Sequence, residues 1–326
     1  MTKLYPLKFE TIFKDKIWGG NKIKSILKKD YSPLSNCGET WEISGVKGND
    51  SVVKEGALKG KLLSDLLKEN KENLVGKKVY ERFGNEFPLL IKFIDANDDL
   101  SIQVHPNDEL AKKRHNSFGK TEMWYIIQAD PGSTLISGFK KKIDEAVYLK
   151  HLNEGTLDEI LNKEQVNPDD VFFLPAGRVH TIGKGLLLAE IQQTSDVTYR
   201  IYDFDRVDDK GNKRELHTEE ALGALDYNVY PDYKSQYQDQ KNKPVNLVTC
   251  PYFTTNKLLF DKPTTRDLAG IDSFVIYICL EGEITLKSEG QSFPLVKGDV
   301  ILIPAVINQI EFQSTSGYKL LESYIE

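Results

Sequence analysis

The chain has 326 residues, 40% hydrophobic and 28% charged, with a formal net charge of −6 and a pI near 5.6, the profile of an ordinary water-soluble globular protein. The acidic balance excludes a general nucleic-acid surface, which needs clustered Lys and Arg, but leaves room for a few local cations around a small anion. The N-terminal "MTKLYPLKFETIFKDKIWGG" has no apolar core of signal-peptide length, and nowhere do about 18 apolar residues run together, so a cytoplasmic protein with no membrane association is expected.

In chain order, "TWEISGV" reads as a strand and residues 59–84 as helical, followed by strands at "FPLLIKFID" and "LSIQVHP". In the last of these Ser101, Gln103 and His105 share one face, opposite Ile102 and Val104. Pro106 stops the strand, and Asn107 or Asp108 can cap a short helix through "NDELAKKRH". Strands at "EMWYIIQAD" and "STLISG" precede a helical pattern over 141–163. Strands return at "VFFLPAG", "LLLAEIQQ" and "VTYRIYDF", where alternation puts Thr198, Arg200 and Tyr202 together. Residues 227–246 are polar, carry two prolines and read as a linker. Further strands follow at "YFTTNKLLF", "SFVIYICL", "EITLKS", "DVILIPAVINQIEF" and "YKLLESYI". Cys37, Cys250 and Cys279 form no Cys-x-x-Cys pair and read as free thiols, with Cys279 buried. His115 and His217 sit among charged neighbours and read as exposed, and His151, in the helical insertion, reads as a surface residue too. The lysine-rich stretches 59–78 and 140–142 read as solvated faces, and Trp18, Trp41 and Trp124 as core or pocket wall.

The chain repeats itself. "DDVFFLPAGRVHTI" from Asp169 aligns with "GDVILIPAVINQIE" from Gly298 at an offset of 129, so Pro175 meets Pro304 and His180 meets Gln309. Upstream, "EMWYIIQADPGSTL" aligns with "DSFVIYICLEGEIT" at an offset of 150, which sets Glu122 against Asp272 and leaves 21 extra residues in the first copy, within 141–163. One β-barrel unit built twice, with a helical insertion in the first copy, is the expected architecture: residues 1–235 as a metal-binding domain and 236–326 as a metal-free one. The insertion is expected to wall the site of the first copy.

A strand, a turn and then "Asp-x4-Pro-x4-His" resembles the second motif of the cupins, double-stranded β-helix (jelly-roll) barrels. "IWGG" at 17–20, "GETWEIS" at 38–44, "SIQVHP" at 101–106, "KTEMWY" at 120–125, "GRVHTIGKG" at 177–185 and "EIQQTSDVTYRIYDFDR" at 190–206 narrow the likeness. Together they resemble the type I mannose-6-phosphate isomerases in their short bacterial form. That resemblance implies one zinc per chain held by Gln103, His105, Glu122 and His180, with Arg200 catalytic. It also implies a sugar-phosphate pocket lined by Ser101, Lys120, Glu190, Asp196 and Lys92. Ile182 departs from longer members of the family, some of which carry tyrosine two positions after the last ligand.

The residue chemistry agrees. Two imidazoles, a carboxylate and an amide oxygen suit Zn²⁺, and an open position would make it a Lewis acid for an aldose–ketose isomerisation. Glu190 and Asp196 are the nearest carboxylates for proton transfer, and Arg200 and Lys120 are cations for a developing oxyanion or a phosphate. Two other readings compete: a cupin enzyme with a different metal, such as an iron dioxygenase, and a non-catalytic sugar-binding cupin. The sequence does not specify an oligomeric state.

Overall fold

The computed structural model describes residues 3–207 and 210–326. Strands β1 (Ile12–Lys14), β2 (Glu39–Ile43), β3 (Leu89–Ala96), β4 (Ile102–Val104), β5 (Glu122–Ala129), β6 (Thr134–Phe139), β7 (Leu161–Gln165), β8 (Val171–Leu174), β9 (His180–Ile182), β10 (Leu186–Gln193) and β11 (Tyr199–Tyr202) form an N-terminal unit. Its two antiparallel sheets have the orders β1-β2-β3-β10-β5-β8 and β11-β4-β9-β6-β7. Strands β12 (Pro244–Thr249), β13 (Thr254–Phe260), β14 (Thr264–Asp267), β15 (Val275–Glu281), β16 (Ile284–Ser288), β17 (Gln291–Leu295), β18 (Val300–Ile303), β19 (Gln309–Gln313) and β20 (Tyr318–Tyr324) form a C-terminal unit, with orders β12-β13-β20-β15-β18 and β14-β19-β16-β17. The helices are short: α1 (Lys22–Ser25), α2 (Leu63–Asn70), α3 (Glu72–Val75), α4 (Lys77–Phe83), α5 (Asp108–His115), α6 (Glu145–Glu154) and α7 (Thr218–Leu222). The segment expected as a linker, 227–246, is shorter than read: residues 227–243 carry no helix or strand, β12 takes Pro244 onward, and Tyr233 is buried with its hydroxyl donating to the Phe139 carbonyl at 2.7 Å.

Alternation decides what each face of the six-stranded sheet does. Ile91, Phe93, Met123, Tyr125, Ala189 and Ile191 point to a core shared with α2–α4 and the C-terminal unit. The other face looks into the N-terminal unit. There Ile94, Ala96, Trp124, Ile126, Leu186 and Leu188 join Leu135 and Ile182 of the opposite sheet as an apolar plug. Further along the same strands the inward positions turn polar, with Lys92, Glu122, Glu190 and Gln192 all buried. One end of the interior is therefore sealed by hydrocarbon, and the other is lined by ionisable groups.

Helix α5 starts as its sequence dictates. The Asn107 side chain accepts a hydrogen bond from the Leu110 N–H at 2.9 Å, and Asn116, left-handed with φ of 49°, ends the helix. In the same way Asp144 caps α6 through the Val147 N–H at 2.9 Å, and Gly155 closes it with φ of 69°. The expected insertion 141–163 is thus helical only in part, because strand β7 begins at Leu161 and pairs with β6.

Strand registers correct one feature of the internal repeat. Glu122 pairs with Leu174, and the counterpart of Leu174 at the 129 offset is Ile303, which pairs with Val275. Val275, not Asp272, therefore stands where Glu122 stands. Asp272 precedes β15 and accepts hydrogen bonds from the backbone of Lys77 (2.7 Å) and Lys78 (3.1 Å) at the start of α4. The sequence alignment slipped because two apolar strands of like composition give no internal mark of register. The same register sets Glu190 against Glu322 and Trp124 against Tyr277, an equivalence that the aligned blocks did not include.

Candidate active site

Three strands aim the metal-ligand candidates at one point. His105 follows β4, Glu122 opens β5 and His180 opens β9, and Gln103 is paired in register with His180. His105 Nε2 lies 3.6 Å from Glu122 Oε2, His180 Nε2 lies 3.3 Å from Glu122 Oε1, and all three side chains are buried. The Gln103 amide nitrogen is 3.3 Å from His180 Nε2. A half-turn of that amide aims its oxygen at the same point.

Both rings are fixed from behind. His105 Nδ1 donates to the Val197 carbonyl at 3.0 Å and His180 Nδ1 to the Arg178 carbonyl at 2.8 Å, which leaves each Nε2 with its lone pair toward Glu122. Burial lowers the pKa of both imidazoles, that of His180 to about 4 despite the helping Arg178 carbonyl. Burial, together with the charge of Glu190, pushes Glu122 up to about 8. His105 Nε2 and both Glu122 oxygens are buried without a hydrogen-bond partner among the described residues. Two imidazoles whose pKa burial lowers and a carboxyl whose pKa burial raises, with unsatisfied atoms converging, fit a divalent cation, which would satisfy all three and favour the carboxylate.

Beside this cluster lies a cavity of about 300 Å³ lined by Ser101, Gln103, Lys92, Lys120, Glu190, Asp196 and Arg200, among others. Every pocket residue expected from the sequence is present on its wall. Lys120 Nζ is 3.6 Å from Glu122 Oε2, and so joins cavity to cluster. Lys92 Nζ sits 3.1 Å from Glu190 Oε1 and 3.9 Å from Glu39 Oε2. Trp124 Nε1 donates to Glu190 at 2.8 Å and Trp41 Nε1 to Glu39 at 2.9 Å. Burial alone would raise both carboxyls, but the lysines outweigh it: Lys92 and Lys120 hold Glu190 below its ordinary value, and Lys92 and Lys16 hold Glu39 near 2. Arg200 donates from Nη1 to the Glu215 carbonyl at 2.8 Å, and its backbone N–H to His217 Nδ1 at 3.2 Å.

Sequence reasoning did not single out Lys16, Glu39, Thr198 as a wall residue, or Arg214, all of which line the cavity. Lys16 and Glu39 adjoin or lie within the quoted "IWGG" and "GETWEIS", so a signal existed. Arg214, in "KRELHT", had none. Three expectations change. Tyr202 does not share the cavity with Thr198 and Arg200, because an irregularity in β11 between Arg200 and Tyr202 breaks the alternation. His151 and His217 are half-buried, the first hydrogen-bonded to Thr156 Oγ1, while His115 is exposed as expected. Residues 141–163 line no part of this cavity. They wall a separate one of about 370 Å³, with Ile102, Thr181, Tyr202 and Phe204. Ile102 and Thr181 adjoin Gln103 and His180 on their strands, so this second cavity lies behind the sheet that carries the ligands.

Comparison with known proteins gives a consistent result. Residues 6–129 match the family model "Phosphomannose isomerase type I, catalytic domain", and residues 243–325 match "Mannose-6-phosphate isomerase, cupin domain". The chain is 36% identical over 312 residues to the mannose-6-phosphate isomerase ManA of Bacillus subtilis, covering 94% of this chain and 96% of that protein. It is 37% identical over 315 residues to the mannose-6-phosphate isomerase of Streptococcus mutans, covering 94% and 95%. The crystal structure of a mannose 6-phosphate isomerase from Bacillus subtilis superposes with a TM-score of 0.88 at 32% identity, over 98% of this chain and 99% of that one.

Proposed function

The chain belongs to the type I phosphomannose isomerase family, and we propose that it interconverts mannose 6-phosphate and fructose 6-phosphate in the cavity beside His105, Glu122 and His180. The observation that carries this reading is the junction of a buried His–Glu–His cluster with a cavity whose wall holds five cations (Lys16, Lys92, Lys120, Arg200, Arg214) against three carboxylates (Glu39, Glu190, Asp196). A surplus of positive charge suits an anionic sugar, and the ionised Glu190 suits proton transfer.

In this reading one zinc per chain is held by Gln103, His105, Glu122 and His180, and when bound it supplies Lewis-acid charge for the oxygens on the reacting carbons. Lys120, beside Glu122, adds a fixed cation where negative charge grows on those oxygens. The proton that moves between the two carbons has two carboxylate acceptors on the wall, Glu190 and Asp196. Lys92 keeps Glu190 ionised, and Ser101 offers a hydroxyl to the sugar. Arg200 faces developing charge with a guanidinium that the neighbouring backbone holds in place. Residues 1–235 make up the catalytic cupin domain and 236–326 a metal-free cupin domain.

The test is a coupled assay for fructose 6-phosphate formed from mannose 6-phosphate, before and after chelation and after zinc is restored. Activity that chelator abolishes and zinc returns is expected. Activity indifferent to chelator would remove the metal from the mechanism, and no isomerisation at all would remove the function.

A further inference from the structure

We infer that Arg214 is the residue that selects phosphorylated over free sugar, gripping the substrate's phosphate at the cavity mouth beside Arg200; this rests on the isomerase reading above.

Three observations converge. Exposure grades the cations by depth: the Lys92 and Lys120 side chains are 4% and 6% exposed, whereas those of Arg214 and Lys16 are 28% and 34% exposed on the same wall, and of these two Lys16 is a single ammonium paired with Glu39 at 3.3 Å. The deep pair adjoins the metal-ligand cluster, so the reacting carbons belong there. The far end of the sugar then lies at the mouth. A phosphate monoester needs that position, because it carries about −1.5 to −2 charges at pH 7 and keeps its hydration most easily near solvent.

Next, among the described residues three guanidinia, those of Arg200, Arg206 and Arg214, gather around Asp203, with Asp98 3.8 Å from Arg206 as a more distant carboxylate. Asp203 serves two guanidinia at once: it accepts from Arg214 Nε at 2.7 Å and Nη2, and from Arg206 Nη2 at 2.6 Å. Arg200 is a third cation in the group, and its pKa is depressed by burial first and then by repulsion from Arg214. Like charges held together in a half-buried wall are costly until an anion joins them.

Finally, the contact with Asp203 fixes the plane of the Arg214 guanidinium while the residue stays on the cavity surface. A guanidinium held flat by one carboxylate is pre-organised to offer its remaining N–H groups to phosphate oxygens in two-point fashion.

The test uses the zinc-loaded full chain, with inorganic phosphate titrated by calorimetry and steady-state kinetics on mannose 6-phosphate. R214Q should weaken phosphate binding by about tenfold or more and raise KM for mannose 6-phosphate by a similar factor, with a smaller change in kcat and unchanged zinc content. R214K, which keeps the charge but loses the fork, should fall between R214Q and the parent, and it decides the matter if R214Q does not fold. Phosphate affinity and KM within about twofold of the parent in the folded variants would overturn the assignment. The phosphate titration reads Arg214 even if the parent fails to isomerise mannose 6-phosphate, so the two readings fall separately.

Discussion

Arg200 is the wall cation whose own bonds are spent least on carboxylates. Its described hydrogen bonds run to the Glu215 carbonyl and, through its backbone, to His217, and its Nε is buried without a partner among the described residues. A buried donor left open is where charge arriving in a transition state is worth most. Arg200→Ala should therefore lower kcat by about 100-fold or more with zinc content unchanged, and turnover within a few-fold of the parent would take Arg200 out of the mechanism. Glu39 behaves oppositely, because its partners are internal. Burial alone would raise its pKa, yet Lys92, Lys16 and the Trp41 N–H bring it from 4.5 to about 2. A folded-state pKa below the unfolded one means stability that is present above pH about 4.5 and lost as pH falls toward about 2, on the order of 3 kcal/mol in all. For chelator-treated protein, urea unfolding at pH 7 should find Glu39→Gln less stable than the parent, and the gap should close over that window. A gap independent of pH would show that Glu39 is not held ionised by its neighbours.

At the scale of elements, helix α6 and the 3₁₀ turn after it pack behind the ligand-bearing sheet. Tyr148, Leu157 and Ile160 share a core with Ile102, Val104, Tyr199 and Ile201. Their role is support, and Tyr148 allows a clean check, since its hydroxyl is buried without a hydrogen-bond partner among the described residues. Tyr148→Phe should leave stability unchanged or raise it, whereas Tyr148→Ala should cost about 3 kcal/mol or more. Neither should move KM for mannose 6-phosphate by more than about twofold, and a large rise in KM without loss of stability would return α6 to the substrate cavity. This segment also marks how far the sequence could be read. Strand alternation and a proline stop made it legible that Gln103 and His105 share a face, whereas grouping them with Glu122 and His180 came from the resemblance of the motifs to a family, since Glu122 and His180 lie on strands far apart in the chain. The longest strands were legible because each holds a run of apolar or β-prone residues that outweighs its few polar ones. Strands β7, β9 and β14, of three to five residues, were not, since at that length pairing with a neighbour, rather than local pattern, makes the strand. Nor was the irregularity that turns Tyr202 away from Arg200, or the placement of Arg214, because both depend on contacts made across loops.

Over the whole molecule, the two units carry the same frame with different contents, and this difference fixes how many metals a chain should hold. In the N-terminal unit Glu190 receives Trp124 Nε1 and faces Lys92; in the C-terminal unit Glu322, at the equivalent register, receives the Tyr277 hydroxyl at 2.8 Å and the Asn256 amide at 3.1 Å. There the likeness ends. Arg266 forms a two-point ion pair with Glu322, at 2.8 and 2.9 Å, and so places an internal cation beside the carboxylate. At the ligand positions the C-terminal unit has Gln309 for His180, exposed on β19, and Val275 for Glu122, while no histidine follows His217. Asp267 is paired with Gln309 as Gln103 is with His180, but it is exposed and accepts from the Ala269 N–H at 3.0 Å, and an amide with one exposed carboxylate and no imidazole makes a poor zinc site. Elemental analysis of the full chain should therefore find one tightly held metal. His180→Gln, which installs what the repeat already has at that place, should leave a folded protein that has lost most of its zinc and most of its activity. The β9 backbone pairing that positions residue 180 does not depend on the ring, so folding should survive. Two tightly bound metals per chain, or full zinc and activity in His180→Gln, would sink the assignment of the metal to the N-terminal cluster alone.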